Sequence, residues 1–309
     1  MYTNAEHKLL SGCNLCPREC RVDRFAGQTG YCGTGAGMNI SSICIHRGEE
    51  PVISGPDGIC NIFFAACNLQ CIYCQNHEIS GACRQNAGGN FTLAETLETV
   101  ESILSTGIKA VGFVSPSHVV PQVKAIIRGL HERGLNPLTV YNTNCYDKAE
   151  VIDGLEGIID VYLPDYKYVT TEIAKQYSDA ADYPEVALKA LKRMYYQKGS
   201  GLPLDDEGRA EKGILIRHLV LPGHAGESIK VLRSIADELS TGVHLSLMSQ
   251  YHPVHPVRNH IMLGRELYRE EYESVAREME KLGFRNGWLQ DPGSNLNYLP
   301  DFGRKHPFE

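Results

Sequence analysis

The chain has 309 residues, of which 42% are hydrophobic and 22% charged, with a net charge of −7. Those values fit one large globular unit plus a small appendage and argue against nucleic acid as the main partner, since no basic excess exists to pair with phosphate. No apolar run nears the roughly 20 residues that span a bilayer, and the polar start Met1-Tyr-Thr-Asn-Ala-Glu carries no signal-peptide core. Eleven cysteines in such a chain point to a cytoplasmic, reducing setting and to metal rather than disulfides.

Residues 1–57 are rich in Cys and Gly and show no sustained helical period, so they read as a loop-rich module held by metal. A βα rhythm follows. Strands are expected over 58–66, 109–115, 137–143, 158–167, 214–221 and 243–250. Helices are expected over 93–106, 119–133, 148–155, 183–198, 227–239 and 268–282. Thr92 with Glu95 forms a capping box for the first of these helices, and Gly134 and Gly199 close two others. Residues 200–212 read as a polar loop, and 285–309 as a tail holding the only Trp, Trp288. Six βα units in succession imply an α/β fold, a parallel sheet curling into a partial (β/α)6 barrel over 58–284.

In such a barrel the site lies at the C-terminal ends of the strands. Cysteines follow the first strand here, and Ser115, Ser117 and His118 follow the second. Asn142, Thr143 and Asn144 end the third, and Asp165 and Lys167 the fourth. Arg217 and His218 lie in the fifth, and Gln250, Tyr251 and His252 end the sixth. Polar residues thus collect at one rim.

The most informative of these is Cys67-Asn-Leu-Gln-Cys71-Ile-Tyr-Cys74. Three thiolates in C-x3-C-x2-C spacing can hold three irons of a 4Fe–4S cluster and leave the fourth open to a ligand, whereas electron-transfer clusters are closed by four. Cys13, Cys16, Cys20 and Cys32 form a second set, able to close either a zinc site or a complete 4Fe–4S cluster. Cys44, Cys60, Cys83 and Cys145 lack partners at ligand spacing and read as core thiols. His46, Glu49 and Glu50 read first as a solvated turn, with the mouth of the active site as the alternative.

The three-cysteine run, with Tyr73 before its last Cys, resembles the signature of radical S-adenosylmethionine (SAM) enzymes. With Asp160-Val-Tyr-Leu-Pro-Asp-Tyr-Lys, Ile216-Arg-His-Leu-Val-Leu-Pro-Gly and Met248-Ser-Gln-Tyr-His-Pro, it resembles the pyruvate formate-lyase activating enzyme-like subgroup, from about Cys13 to about Gly283. The resemblance implies a cluster whose open iron chelates the methionine end of SAM, and reductive cleavage to a 5′-deoxyadenosyl radical. It also implies a low-potential donor such as flavodoxin or ferredoxin. Tyr73 would lie beside the adenine and His252 near the ribose. Asn142 and Thr143 align with a turn that contacts the methionine group and a nearby cation, Asp165 and Lys167 align with an Asp-Leu-Lys run, and Lys167 and Arg217 suit the methionine carboxylate. The activating enzymes' Gly-Gly-Glu turn is replaced by Phe113-Val-Ser-Pro-Ser-His, so Ser115, Ser117 or His118 would substitute.

The resemblance suggests a glycyl radical enzyme as the radical's acceptor, with a peptide or small molecule as the alternative. A non-catalytic iron–sulfur scaffold or electron carrier predicts closed four-cysteine sites, which the open run opposes. A zinc-stabilised nucleic-acid binder predicts a basic stripe with interleaved aromatics, which is absent.

Overall fold

The computed structural model describes residues 2–81, 91–291, 293, 299–304 and 307–308; Cys83 lies outside them. One eight-stranded sheet has its strands in chain order. They are β1 (Ile40–His46), β2 (Ile59–Phe64), β3 (Ala110–Val114), β4 (Leu138–Thr143), β5 (Val161–Pro164), β6 (Gly213–Leu219), β7 (His244–Met248) and β8 (Gly287–Leu289). Strands β2 to β8 pair in parallel, each with its neighbour in sequence. Strand β1 pairs antiparallel with β2. Every residue of β2 and β3 is buried, as expected where helices cover one face of a parallel sheet and side chains fill the other. The fold is the α/β partial barrel that the βα rhythm predicts.

The helices fall close to their expected places. Leu93–Leu104 starts at the Thr92–Glu95 capping box, whose two reciprocal bonds are both present. Tyr183–Lys198 has the bounds that its period and Gly199 predict. Strand β5 is shorter than 158–167 because it passes into irregular backbone after Pro164, so that Asp165 and Lys167 stand beyond the strand on the rim.

Residues 1–57 differ from the loop-rich expectation. Asn4–Ser11 is a helix with a full capping box, Thr3 and Glu6 bonding each other's backbone N–H. Glu6 also takes a two-pronged salt bridge from Arg128 on the helix Val120–Glu132. Ile40–His46 adds a strand to the barrel sheet, so this segment is fused to the sheet's edge. The helix Thr171–Ser178 and strand β8 are further elements that periodicity does not reveal.

Two core histidines report on this packing. His118 is wholly buried with Nε2 3.1 Å from the Ala65 carbonyl. His218 on β6 has Nδ1 2.7 Å from the Tyr166 carbonyl and Nε2 2.8 Å from Ser228 Oγ. Burial lowers both pKa values to about 4, for His118 with help from Arg24. Since the unfolded chain binds protons near pH 6.5 and the folded one does not, stability falls as pH drops from about 6.5 towards 4. Urea unfolding at pH 7 and pH 5 is expected to show a loss of about 2 kcal/mol for each histidine. His218→Gln is expected to remove its share of that slope.

Candidate active site

The loop after β2 carries Cys67, Cys71 and Cys74 to the C-terminal rim, where all three line a cavity of about 460 Å³. Two residues of this loop, Ala66 and Gln70, take left-handed backbone (φ 69° and 55°). The bends turn the chain so that thiols on an eight-residue arc face one space. Each sulfur has a protein donor. Asn144 Nδ2 and the Leu69 N–H point at Cys67 Sγ (3.3 and 3.4 Å), and Ser178 Oγ donates to Cys71 Sγ (3.0 Å). Ser80 bonds Cys74. Burial, with repulsion from the neighbouring sulfurs, pushes Cys74 up to about 12 and raises Cys71. Thiols so placed become ligands only when a cation offsets that penalty.

Opposite the thiols lies a charged network. Arg217 on β6 donates from Nε to Asp165 (2.8 Å), from Nη1 to Glu49 (2.9 Å) and from Nη2 to Asn142 (2.7 Å). Asp165 also takes Lys167 Nζ at 2.9 Å. Burial raises the Asp165 carboxyl, but Arg217 and Lys167 outweigh it and hold the group below its usual range. Lys167 keeps two N–H donors beyond its bond to Asp165, and the Cys71 and Cys74 thiolates lie within its electrostatic reach. Each nitrogen of Arg217 bonds one protein acceptor, and the side chain lines the same cavity as the thiols.

The β1–β2 connection supplies residues that the sequence reading set aside. His46, Glu49 and Glu50 form no solvated turn, for all three line the cavity. The antiparallel pairing of β1 delivers them there, and Asn61 Nδ2 fixes Glu49 at 2.9 Å. Gly112 on β3 makes room for that contact, since a Cβ there would lie 2.0 Å from Asn61 Oδ1. Burial and the Glu49 charge push the Glu50 carboxyl up against the pull of Arg217. His46 is buried with its ring 4.1 Å from that of Phe308.

The expected rim residues divide. Tyr73, Ser115, Asn142, Asp165, Lys167 and Arg217 line the cavity. Ser115 does so from a left-handed backbone position (φ 53°), where the chain turns sharply out of β3. Tyr73 bonds Tyr168 by its hydroxyl (2.5 Å). Ser117, His118 and Thr143 face inward. Ser117 Oγ lies 3.0 Å from Thr143 Oγ1, and Thr143 bonds Asp147. With these hydroxyls satisfied internally, the pair serves the β3–β4 packing. His252 also stands off the cavity, past the end of β7.

The second cysteine set is gathered too. Cys13, Cys16 and Cys32 are buried and Cys20 is partly so. Burial raises Cys16 to about 12, and Cys32, Cys13 and Cys20 all add repulsion, which puts the four within electrostatic range of one another. Among the described residues, no group of three or more His, Cys, Asp or Glu is drawn tightly enough to hold a single metal ion as it stands. A zinc ion needs sulfurs about 2.3 Å from one centre; a cubane cluster keeps its thiolates farther apart. Cys60 and Cys145 are buried away from both sets and Cys44 lies in β1.

With this geometry in view, solved structures share the architecture. Streptococcus suis SuiB bound to S-adenosylmethionine superposes with a TM-score of 0.50 at 12% identity, over 74% of this chain and 48% of that one. Methylornithine synthase (PylB) superposes with a TM-score of 0.50 at 16% identity, over 74% and 63%. The fold is that of the radical SAM enzymes. The chain thus spans about half to two thirds of the length of those two proteins. An uncharacterised protein of Methanocaldococcus jannaschii is 28% identical over 277 residues, which is 88% of this chain and 75% of that protein. No family model matches the chain. Among the described residues, no helix is long and apolar enough to cross a membrane.

Proposed function

We propose that this chain is a radical SAM enzyme whose Cys67, Cys71 and Cys74 hold a 4Fe–4S cluster with one iron open to SAM. The single observation that carries the reading is the convergence of those three thiols on a cavity at the C-terminal rim of a radical SAM barrel. The donor set fits the group, being three soft sulfurs, each already offered a hydrogen bond, in a site where bare thiolates would be unfavourable. When bound, the cluster and SAM together supply a 5′-deoxyadenosyl radical for hydrogen abstraction. The protein's residues bind, orient and exclude water.

Lys167 is the cation best placed for the methionine carboxylate, with donors to spare beside the thiols. Ser115 and Asn142 offer polar groups on the same wall, and Tyr73 an aromatic face. Lys167→Ala is expected to weaken SAM binding roughly tenfold or more, because a charge-assisted hydrogen bond contributes ~1.5–3 kcal/mol. Titration of the cluster's electron paramagnetic resonance spectrum with SAM measures it, and wild-type affinity in the variant would remove Lys167 from the site.

The subgroup resemblance makes a glycyl radical enzyme our first choice of acceptor, with a low-potential flavodoxin or ferredoxin as donor. Incubating reduced, SAM-loaded protein with a candidate glycyl radical enzyme tests this by the appearance of a glycyl radical signal. A peptide or small molecule is the second reading, favoured by the mix of polar and apolar side chains that line the cavity. We assign Cys13, Cys16, Cys20 and Cys32 to a second metal centre, a 4Fe–4S cluster in preference to zinc, because the first cluster already demands iron–sulfur assembly.

A further inference from the structure

One wall of the cavity carries a carboxyl whose charge the chain does not balance. Glu49, Glu50, Asp165 and Asp291 line the space, against the cations Lys167 and Arg217. Asp291 is exposed, so water serves it. Lys167 and Arg217 both bond Asp165, and Arg217 also bonds Glu49. Glu50 is left over. Its carboxyl takes the Ser246 hydroxyl of β7 and its own backbone N–H, and Arg217, already shared, offsets only part of its burial. Among the described residues, Glu50 Oε2 is buried without a hydrogen-bond partner, and so is His46 Nδ1. His46 is 8% exposed, and burial holds its ring below the usual pKa, so it is neutral at pH 7 and can offer a lone pair. Aromatic rings stand beside both. Trp288 is the register partner of Ser246 across β7 and β8, and the Phe308 ring lies 4.1 Å from that of His46. All four side chains line the cavity.

We propose that this wall is a substrate subsite for a protonated primary amine, held by Glu50 and His46 with Trp288 and Phe308 alongside. The proposal rests on the reading of the cavity as the SAM site and names the class of substrate taken there. Buried polar atoms without partners are costly, so a ligand that supplies the missing bonds is favoured. An alkylammonium has three N–H donors and no acceptor, which suits two unpartnered acceptors. It also brings the missing positive charge, beside which Glu50 ionises, and a cation is attracted to aromatic faces. A carboxylate or phosphate would add to the negative excess, and a neutral hydroxyl has one donor to give. His46 and Glu50 stand at and just past the end of β1, and Trp288 on β8. Ser115 and Asn142, offered to SAM, stand at the ends of β3 and β4. The wall is therefore separate from the groups assigned to SAM. The amine can belong to a free small molecule or to a lysyl side chain in a peptide.

Calorimetry on the reconstituted protein at pH 7 tests this with n-pentylamine and N-acetyl-lysine methylamide as probes. Their uncharged counterparts are n-pentanol and N-acetyl-norleucine methylamide. Each amine is expected to bind at least about tenfold tighter than its counterpart, the worth of one charge-assisted hydrogen bond, and to change the fluorescence of Trp288, the only Trp. Tighter binding of pentylamine assigns a free amine, and tighter binding of the lysyl probe a peptide. Glu50→Gln keeps the shape of the side chain and is expected to erase the preference for the charged probe. His46→Phe is expected to reduce it, so the test stands even if the first variant fails to fold. The preference is a ratio within one protein, which a general loosening of the cavity would not change. Saturating SAM is expected to leave amine binding in place; its loss would mean that the amine sits where SAM's own ammonium goes, and would overturn the proposal. So would equal binding of charged and uncharged probes, no binding of either amine, or an unchanged preference in the folded variants. SAM binding is scored separately by the cluster's electron paramagnetic resonance spectrum. Its absence removes the SAM reading without altering the amine result, so the two failures are distinct.

Discussion

Cys71→Ala is expected to abolish cleavage of SAM to 5′-deoxyadenosine under anaerobic reduction, with product falling below detection. The middle thiol of the three is the one held by Ser178 and closest in sequence to both partners, so its loss leaves two ligands for a cubane. The protein should remain folded, because Cys71 is partly exposed on a loop and its removal opens no core cavity. Cys145→Ala is the matched control. That thiol is fully buried but does not line the cavity, so cleavage should persist at the cost of some stability. Chromatographic assay of 5′-deoxyadenosine, with iron content measured in parallel, reads both. Undiminished cleavage by Cys71→Ala would end the assignment of the cluster.

Arg217→Ala is expected to destabilise the whole fold by about 3–5 kcal/mol, the usual cost of breaking a buried ion pair from one side. Its guanidinium serves Asp165, Glu49 and Asn142 together, and all but a small part of it is shielded from water. The pH dependence gives the stronger test. In the native protein Asp165 is held below its usual range, so its contribution is present above the unfolded carboxylate pKa and is lost as pH falls through the folded value. Without Arg217 the balance at Asp165 tips towards burial, and its folded pKa rises above the unfolded one. The sign then inverts, and the variant's deficit should grow from pH 5 to pH 8. Denaturant midpoints of wild type and variant across that range decide it. A deficit independent of pH would mean that water enters and solvates the carboxylates.

The sequence made the centre of the site legible because local spacing encodes it. Three cysteines within eight residues need only one loop to converge, and Asp165 and Lys167 reach the rim because a parallel barrel presents every strand end on one side. What escaped depends on contacts distant in sequence. Glu49 and His46 enter the cavity only because β1 pairs antiparallel with β2, and their sequence neighbourhood, Gly-Glu-Glu-Pro, reads as a turn by itself. The β-branched residues of Ile40-Ser-Ser-Ile-Cys-Ile-His were the available signal for that strand. Ser117, His118 and Thr143 pass every sequence test for rim residues. Ser117 and His118 turn inward because the short helix Pro116–His118 rotates the chain after Ser115, and Thr143 at the end of β4 meets Ser117 there. Arg217 is a rim cation by position, and its partners Asp165, Glu49 and Asn142 become visible only in the fold.

The order of the sheet carries a consequence for synthesis on the ribosome. Each strand pairs with the one made just before it, so the barrel can be laid down in the order in which it emerges, with little to rearrange. The Arg217–Glu49 bond is different, for its partners are 168 residues apart. A chain stopped between Cys74 and β6 can therefore display every cysteine of both sets without the Arg217 that faces them. On the proposed reading, a metal bound to such a fragment would lie open to solvent and oxygen. Insertion of metal is thus best delayed until the chain is nearly complete, and the closing of that one bond marks the moment when it becomes safe.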